Sequence, residues 1–149
     1  MSVLLDANAF RKSVLGLSAS KASGTLASTA IPIFTVTVGE VMVTGFYLKV
    51  TTAITAASTV ALQSNPTTGD TVTLATATDL GTNDTAVGSV VGFDTGTTAA
   101  SSFLRGGRND IMWTVPIGQL ELLPASANGA VTAYVTWVPL TDGALLVAA

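Results

Sequence analysis

From Ile31 onward, apolar and polar side chains alternate with a period of two, the spacing of a strand that buries one face. Phe34, Val36 and Val38 alternate with Thr35 and Thr37. Residues 41–50 continue the pattern and place Met42, Phe46, Leu48 and Val50 on one face. Gly39-Glu40 predicts a turn and Gly45 a bulge. Residues 58–63 form a short strand. Residues 71–78 form another, with Val72 and Leu74 inward, and the turn-forming residues 65–70 lie between the two. Residues 87–93 read as a glycine-interrupted strand, and residues 110–115 as a strand with Ile111, Trp113 and Val115 on one side. Asn128-Gly129 carries the residue types of a type I′ hairpin turn, where both central residues need positive φ. It predicts a hairpin between strands at 119–123 and 130–138. In the second strand Val131, Ala133, Val135 and Trp137 face one way, and Thr132, Tyr134, Thr136 and Val138 the other. The apolar tail, 142–149, is expected to tuck into a core or interface.

Polar loops at 79–85, 94–102 and 105–110 separate these elements. About eight strands with frequent turn signals predict an all-β domain, a β-sandwich or jelly roll, over residues 30–149. Residues 1–29 differ. Val3, Leu4, Phe10, Val14, Leu15 and Leu17 allow a short amphipathic helix, and the serine-rich run from Ser18 to Ser28 reads as a linker. This is an N-terminal arm, with a frayed terminus as the alternative. Fully extended, 25 residues reach roughly 80 Å, far enough to grip a neighbouring subunit.

Composition sharpens the picture. Hydrophobic residues are 48% of the 149, and the mean hydropathy is +0.59, too apolar for a disordered chain. No apolar run is long enough to span a bilayer as a helix. The excess lies in Thr, Ala and Val, which favours pleated sheet over helix. Only 10% of residues are charged and the net charge is −3, which argues against a nucleic-acid footprint and predicts large neutral faces suited to another protein. Cysteine and histidine are absent, which excludes disulfide frameworks, thiolate zinc sites and histidine-based triads. Asp6 precedes the Arg11-Lys12 pair, the reverse of a secretory signal, so synthesis in a reducing cytoplasm is expected.

The remaining candidate chemistry is sparse. Asp79, Asn83, Asp84 and Asp94 offer oxygens for Ca²⁺ but lack the alternating order and bidentate Glu of a calcium loop, so they read as turn residues. Glu40 and Glu121, the only glutamates, read as outward strand positions rather than a glycosidase pair. Arg105-Gly-Gly-Arg108 reads as a tight turn whose arginines dock on an acidic partner surface. Trp113, Trp137, Tyr47 and Tyr134 read as core aromatics rather than a sugar platform. No catalytic, metal or cofactor-binding residue is predicted. The candidate partner contacts are Phe10, Arg11, Lys12, Lys21, Arg105 and Arg108.

The stretches Trp113-Thr-Val-Pro-Ile-Gly-Gln-Leu-Glu-Leu122 and Asn128-Gly-Ala-Val-Thr-Ala-Tyr-Val-Thr-Trp-Val-Pro-Leu-Thr-Asp-Gly-Ala-Leu-Leu-Val-Ala148 resemble small head proteins of tailed bacteriophages, the capsid decoration or cement proteins. The opening, with Ala7-Asn-Ala-Phe-Arg-Lys12, is similar to the same class. The resemblance covers about 50 residues and no catalytic motif. It implies a compact all-β knob, often trimeric, on the capsid exterior at threefold or quasi-threefold positions. There it would bridge major capsid protein subunits, with residues 1–29 as the arm. It implies no enzyme activity, no cofactor, no nucleic acid and no membrane. The alternatives are a carbohydrate-binding head-fibre or tail-tip module, and a tail-tube or head–tail connector protein.

Overall fold

The computed structural model describes residues 7–81, 84–94, 101–105 and 110–149. Among the described residues one helix, α1 (Ala7–Leu15), comes first. Eleven strands follow: β1 (Leu17–Thr25), β2 (Ile31–Thr37), β3 (Val41–Thr52), β4 (Thr59–Pro66), β5 (Val72–Asp79), β6 (Val90–Asp94), β7 (Ser101–Arg105), β8 (Asp110–Val115), β9 (Gly118–Pro124), β10 (Ala130–Pro139) and β11 (Leu145–Ala148). The all-β sandwich expected from the alternation is what forms. Hydrogen bonding runs β1-β10-β3-β6-β7-β5-β4-β9-β2-β11, with β8 also beside β3. Two antiparallel sheets result. One is built around β1, β10 and β3, the other around β11, β2, β9, β4 and β5. They are joined through β7, which pairs antiparallel with β6 and parallel with β5.

The inner faces of both sheets supply one core. Phe34 of β2 meets Phe46 of β3 edge-on with ring centroids 6.5 Å apart. Phe46 continues to Phe93 at 5.7 Å, and Phe93 touches Phe103 at 5.2 Å and Trp113 at 5.0 Å. Offset and edge-on ring pairs of this kind add about 0.5–1.5 kcal/mol each beyond area burial. In β10 the alternation holds: Val131, Ala133, Val135 and Trp137 are buried, and the residues between them are half-buried. Residues 65–70 form the expected β4–β5 hairpin, closed by Thr71 Oγ1 donating to Asn65 Oδ1 at 3.2 Å. The apolar tail becomes β11 on the edge of β2, with Leu146 buried.

Several expectations are corrected. In β3 the buried positions are Val41 and Val43, then Phe46, Leu48 and Val50, while Met42 is only half-buried. A register shift at Thr44–Gly45 against Thr136/Trp137 explains this, because one inserted residue reverses the phase of every side chain before it. Likewise Val72 is exposed and Leu74 half-buried, while Ala75 is the buried residue of β5. The β4–β5 pairing shifts register on both sides of Leu62↔Ala75. Val38 leaves the strand pattern: it is 71% exposed, in a turn, at φ 68.

The linker expected from Ser18 to Ser28 is mostly β1, which pairs with β10 from Leu17↔Trp137 to Thr25↔Ala130. Small alternating Ser and Ala side chains satisfy an edge strand without any run of large apolar residues.

Asn128-Gly129 is no hairpin turn, since β9 pairs with β2 and β4, and β10 with β1 and β3. The segment instead crosses between sheets. Asn128 Nδ2 donates to Ala56 O at 2.7 Å and its Oδ1 accepts from Thr55 N, while Gly129 O accepts from Leu26 N at 2.9 Å. Gly129 does adopt positive φ (73). The dipeptide pins the crossover to the segment after β3 rather than joining neighbouring strands.

Candidate functional site

The middle of β3 and β10 carries a directly opposed pair, Tyr134↔Tyr47. Both fall on the outward phase, among Thr132, Thr136 and Val138. Their rings stack 4.7 Å apart at 8°. The bulge at Thr44–Gly45 brings Thr44 onto the same face, where Thr44 Oγ1 donates to Thr136 Oγ1 at 3.2 Å. β1 adds Ser18 and Ser20, both exposed because Leu17, Ala19 and Lys21 occupy the other phase. Together these residues line a groove of about 670 Å³ across the outer face of β1, β10 and β3. That size is within the range of small-molecule sites. No charged residue lines it among the described residues. The hydroxyls of Ser18, Ser20, Tyr47 and Tyr134 have no hydrogen-bond partner among the described residues.

The four aromatics read as core thus divide. Trp137 is buried and Trp113 packs edge-on to Phe93, so both are core. Tyr47 and Tyr134 are not. The signal was in the alternation itself, which put Tyr134 opposite the buried phase of β10. Ser18 and Ser20 carried no signal, because nothing local marks a serine-rich run as strand.

The candidate partner contacts scatter. Phe10 is 59% exposed on α1, with Val14 and Leu15 also exposed; Lys12 is exposed and Arg11 lies in the same helix. The Lys12 carbonyl accepts from Gly16 N at 3.0 Å, and Gly16 at φ 85 ends the helix in the left-handed conformation that favours glycine. Lys21 is engaged within the molecule, donating from Nζ to Ala149 O. Arg105 ends β7, and Arg108 lies outside the described residues.

The carboxylates have local roles. Asp79 accepts from Ser58 N at 3.1 Å and Gly81 N at 2.8 Å, shaping the loop after β5. Asn83 lies outside the described residues. No group of three or more potential ligands that could hold a metal ion occurs among the described residues. Glu40 is exposed, as expected. Glu121 is not: it is only 5% exposed, on the opposite phase of β9 from Leu120 and Leu122. Its carboxylate accepts from Gln63 Nε2 at 2.6 Å and Asn65 Nδ2 at 3.2 Å. The neighbouring strand β4 supplies both amides, so each carboxyl oxygen of Glu121 has a hydrogen-bond donor.

No helix among the described residues is long and apolar enough to cross a membrane. No family model, curated protein or solved structure matches the chain.

Proposed function

We propose that this chain is a structural protein of a tailed-phage particle: a decoration or cement protein that binds the outside of the head and ties major capsid protein subunits together. The observation that carries this reading is α1. A nine-residue helix is too short to stand alone in water. Yet Phe10 and Val14, one helical turn apart, and Leu15 beside them are all exposed. Such a helix gains its stability by burying that face on a partner. The arrangement suits an arm held at the end of β1 and offered to a shell.

The low charge content supports the same role, because a surface with few charges loses little solvation when part of it is covered. Association as a trimer at threefold or quasi-threefold positions adds avidity, since three weak arms then bind as one ligand. Binding only the assembled shell stabilises that state by mass action. The reading gives the protein no reaction and no cofactor, with a place on the virion exterior after synthesis in the bacterial cytoplasm.

The test is co-sedimentation of the purified chain with undecorated phage heads, together with the temperature at which the heads rupture. Saturable binding that raises the rupture temperature is expected. Phe10→Asp with Val14→Asp should weaken binding at least tenfold and leave the melting temperature of the chain unchanged. Absence of binding, or binding indifferent to both substitutions, overturns the assignment.

A further inference from the structure

The tyrosine groove is not used by the shell-binding reading, which rests on α1. We infer that this groove is a carbohydrate site that takes a neutral sugar, with the Tyr47–Tyr134 pair as its stacking surface.

Three observations converge on that ligand class. The first is the ring pair itself, half-buried on the outward side of paired strands rather than in the core. A pyranose presents a flat face of C–H groups, and the exposed surface of an aromatic ring is the complement to it. The second is the hydroxyl set. Ser18, Ser20, Tyr47 and Tyr134 bring four hydroxyls without partners among the described residues, and Thr44 and Thr136 bring two more that already bond each other at 3.2 Å. A hydroxyl both donates and accepts, so a ring of them matches a polyol whose own groups do the same. The third is the absence of charge along the described lining.

The same observations argue against other occupants. A nucleotide stacks well on tyrosine but brings phosphate, and the described lining holds no cation to meet it. An extended peptide binds by adding to a free strand edge. Here the groove lies across the faces of β1, β10 and β3, where β10 is hydrogen-bonded on both sides. A purely apolar ligand would leave four hydroxyls facing it without partners, at a cost of about 1–3 kcal/mol for each that is desolvated.

The position of the site follows from two irregularities. The Thr44–Gly45 bulge swings Thr44 outward beside Thr136, and β1 places two small residues, Ser18 and Ser20, where larger ones would fill the space.

The experiment uses the full chain. Amide and aromatic-ring NMR shifts are followed while a panel of neutral sugars is added: glucose, galactose, mannose, rhamnose, N-acetylglucosamine and their disaccharides. Sialyllactose and a dinucleotide serve as charged probes. The expected result is saturable shifts at Tyr47, Tyr134 and Ser20 with at least one neutral sugar, and none with the charged probes. Tyr134→Ala should reduce the affinity at least tenfold. Ser20→Trp, which fills the groove without removing either ring, should abolish binding even if the alanine variant fails to fold. Val147→Ser, on the other sheet, should change nothing. Lack of saturable shifts across the whole panel overturns the inference, as does binding that survives Ser20→Trp or favours the charged probes. Shell binding through α1 would stand or fall separately.

Discussion

Lys21 Nζ donates a hydrogen bond to the backbone oxygen of Ala149, joining residues 128 positions apart in the sequence. The contact ties β1, at one end of the hydrogen-bonded strand order, to the tail beyond β11 at the other. Lys21, a candidate partner contact, thus also bonds within the molecule. Lys21→Met should therefore loosen β11 without unfolding the domain. The bond is solvent-accessible, so the cost should be about 0.5 kcal/mol. Hydrogen exchange should show faster exchange at Leu146 and Val147, with β10 amides unaffected. Equal acceleration throughout the sheets would contradict a local clasp.

Truncation should separate the arm from the fold. Removing residues 2–15 deletes α1 and leaves β1 paired with β10, so the chain should remain soluble with a melting temperature within a few degrees of the parent. Removing residues 2–25 also strips β1 and leaves the edge of β10 bare, an aggregation hazard. Soluble yield and thermal melting of the two truncations distinguish them. Equal behaviour would mean that β1 contributes nothing to the sheet.

Gly129 is constrained twice. Its φ is 73, and an added Cβ would lie 2.6 Å from Ile54 Cγ1 and 2.9 Å from Thr52 O. Gly129→Val should destabilise by about 2 kcal/mol or more, since backbone strain and a steric clash act together. Gly24 has a similar φ of 68 but nothing within 4 Å of an added Cβ, so Gly24→Ala should cost only about 1 kcal/mol. Urea denaturation of both variants measures the difference, and a Gly129 variant no worse than the Gly24 one would discount the clash.

Glu121 is held by two amides of β4, those of Gln63 and Asn65. Glu121→Leu would leave Gln63 and Asn65 without their acceptor and should destabilise by about 1–3 kcal/mol. Glu121→Leu combined with Gln63→Leu should recover part of that loss, because the stronger donor no longer needs a partner. A double variant as unstable as the sum of its parts would show that the pair acts independently.

How much of this was legible follows from the range of each signal. The inward face of β10 could be read directly, because its alternation runs unbroken from Val131 to Trp137. The alternation places Met42 on the core face because a bulge leaves no mark beyond a glycine, and its direction depends on which residue faces it across the ladder. Ser18 and Ser20 looked like linker because a strand's pairing energy comes from its neighbour. Asn128-Gly129 signalled positive φ correctly at Gly129, but a turn preference says nothing about which strands the turn connects.

By itself the sequence determined the all-β class, the alternating core of β10, the β4–β5 hairpin and the scarcity of charge. These rest on side-chain chemistry and local backbone preference, which act over a few residues. Tertiary structure alone decided the register of β3 and β5, the inclusion of β1, the burial of Glu121 between two amides and the meeting of Tyr47 with Tyr134. Each of these depends on pairing between segments distant in the chain, where a one-residue shift exchanges the two faces of a sheet.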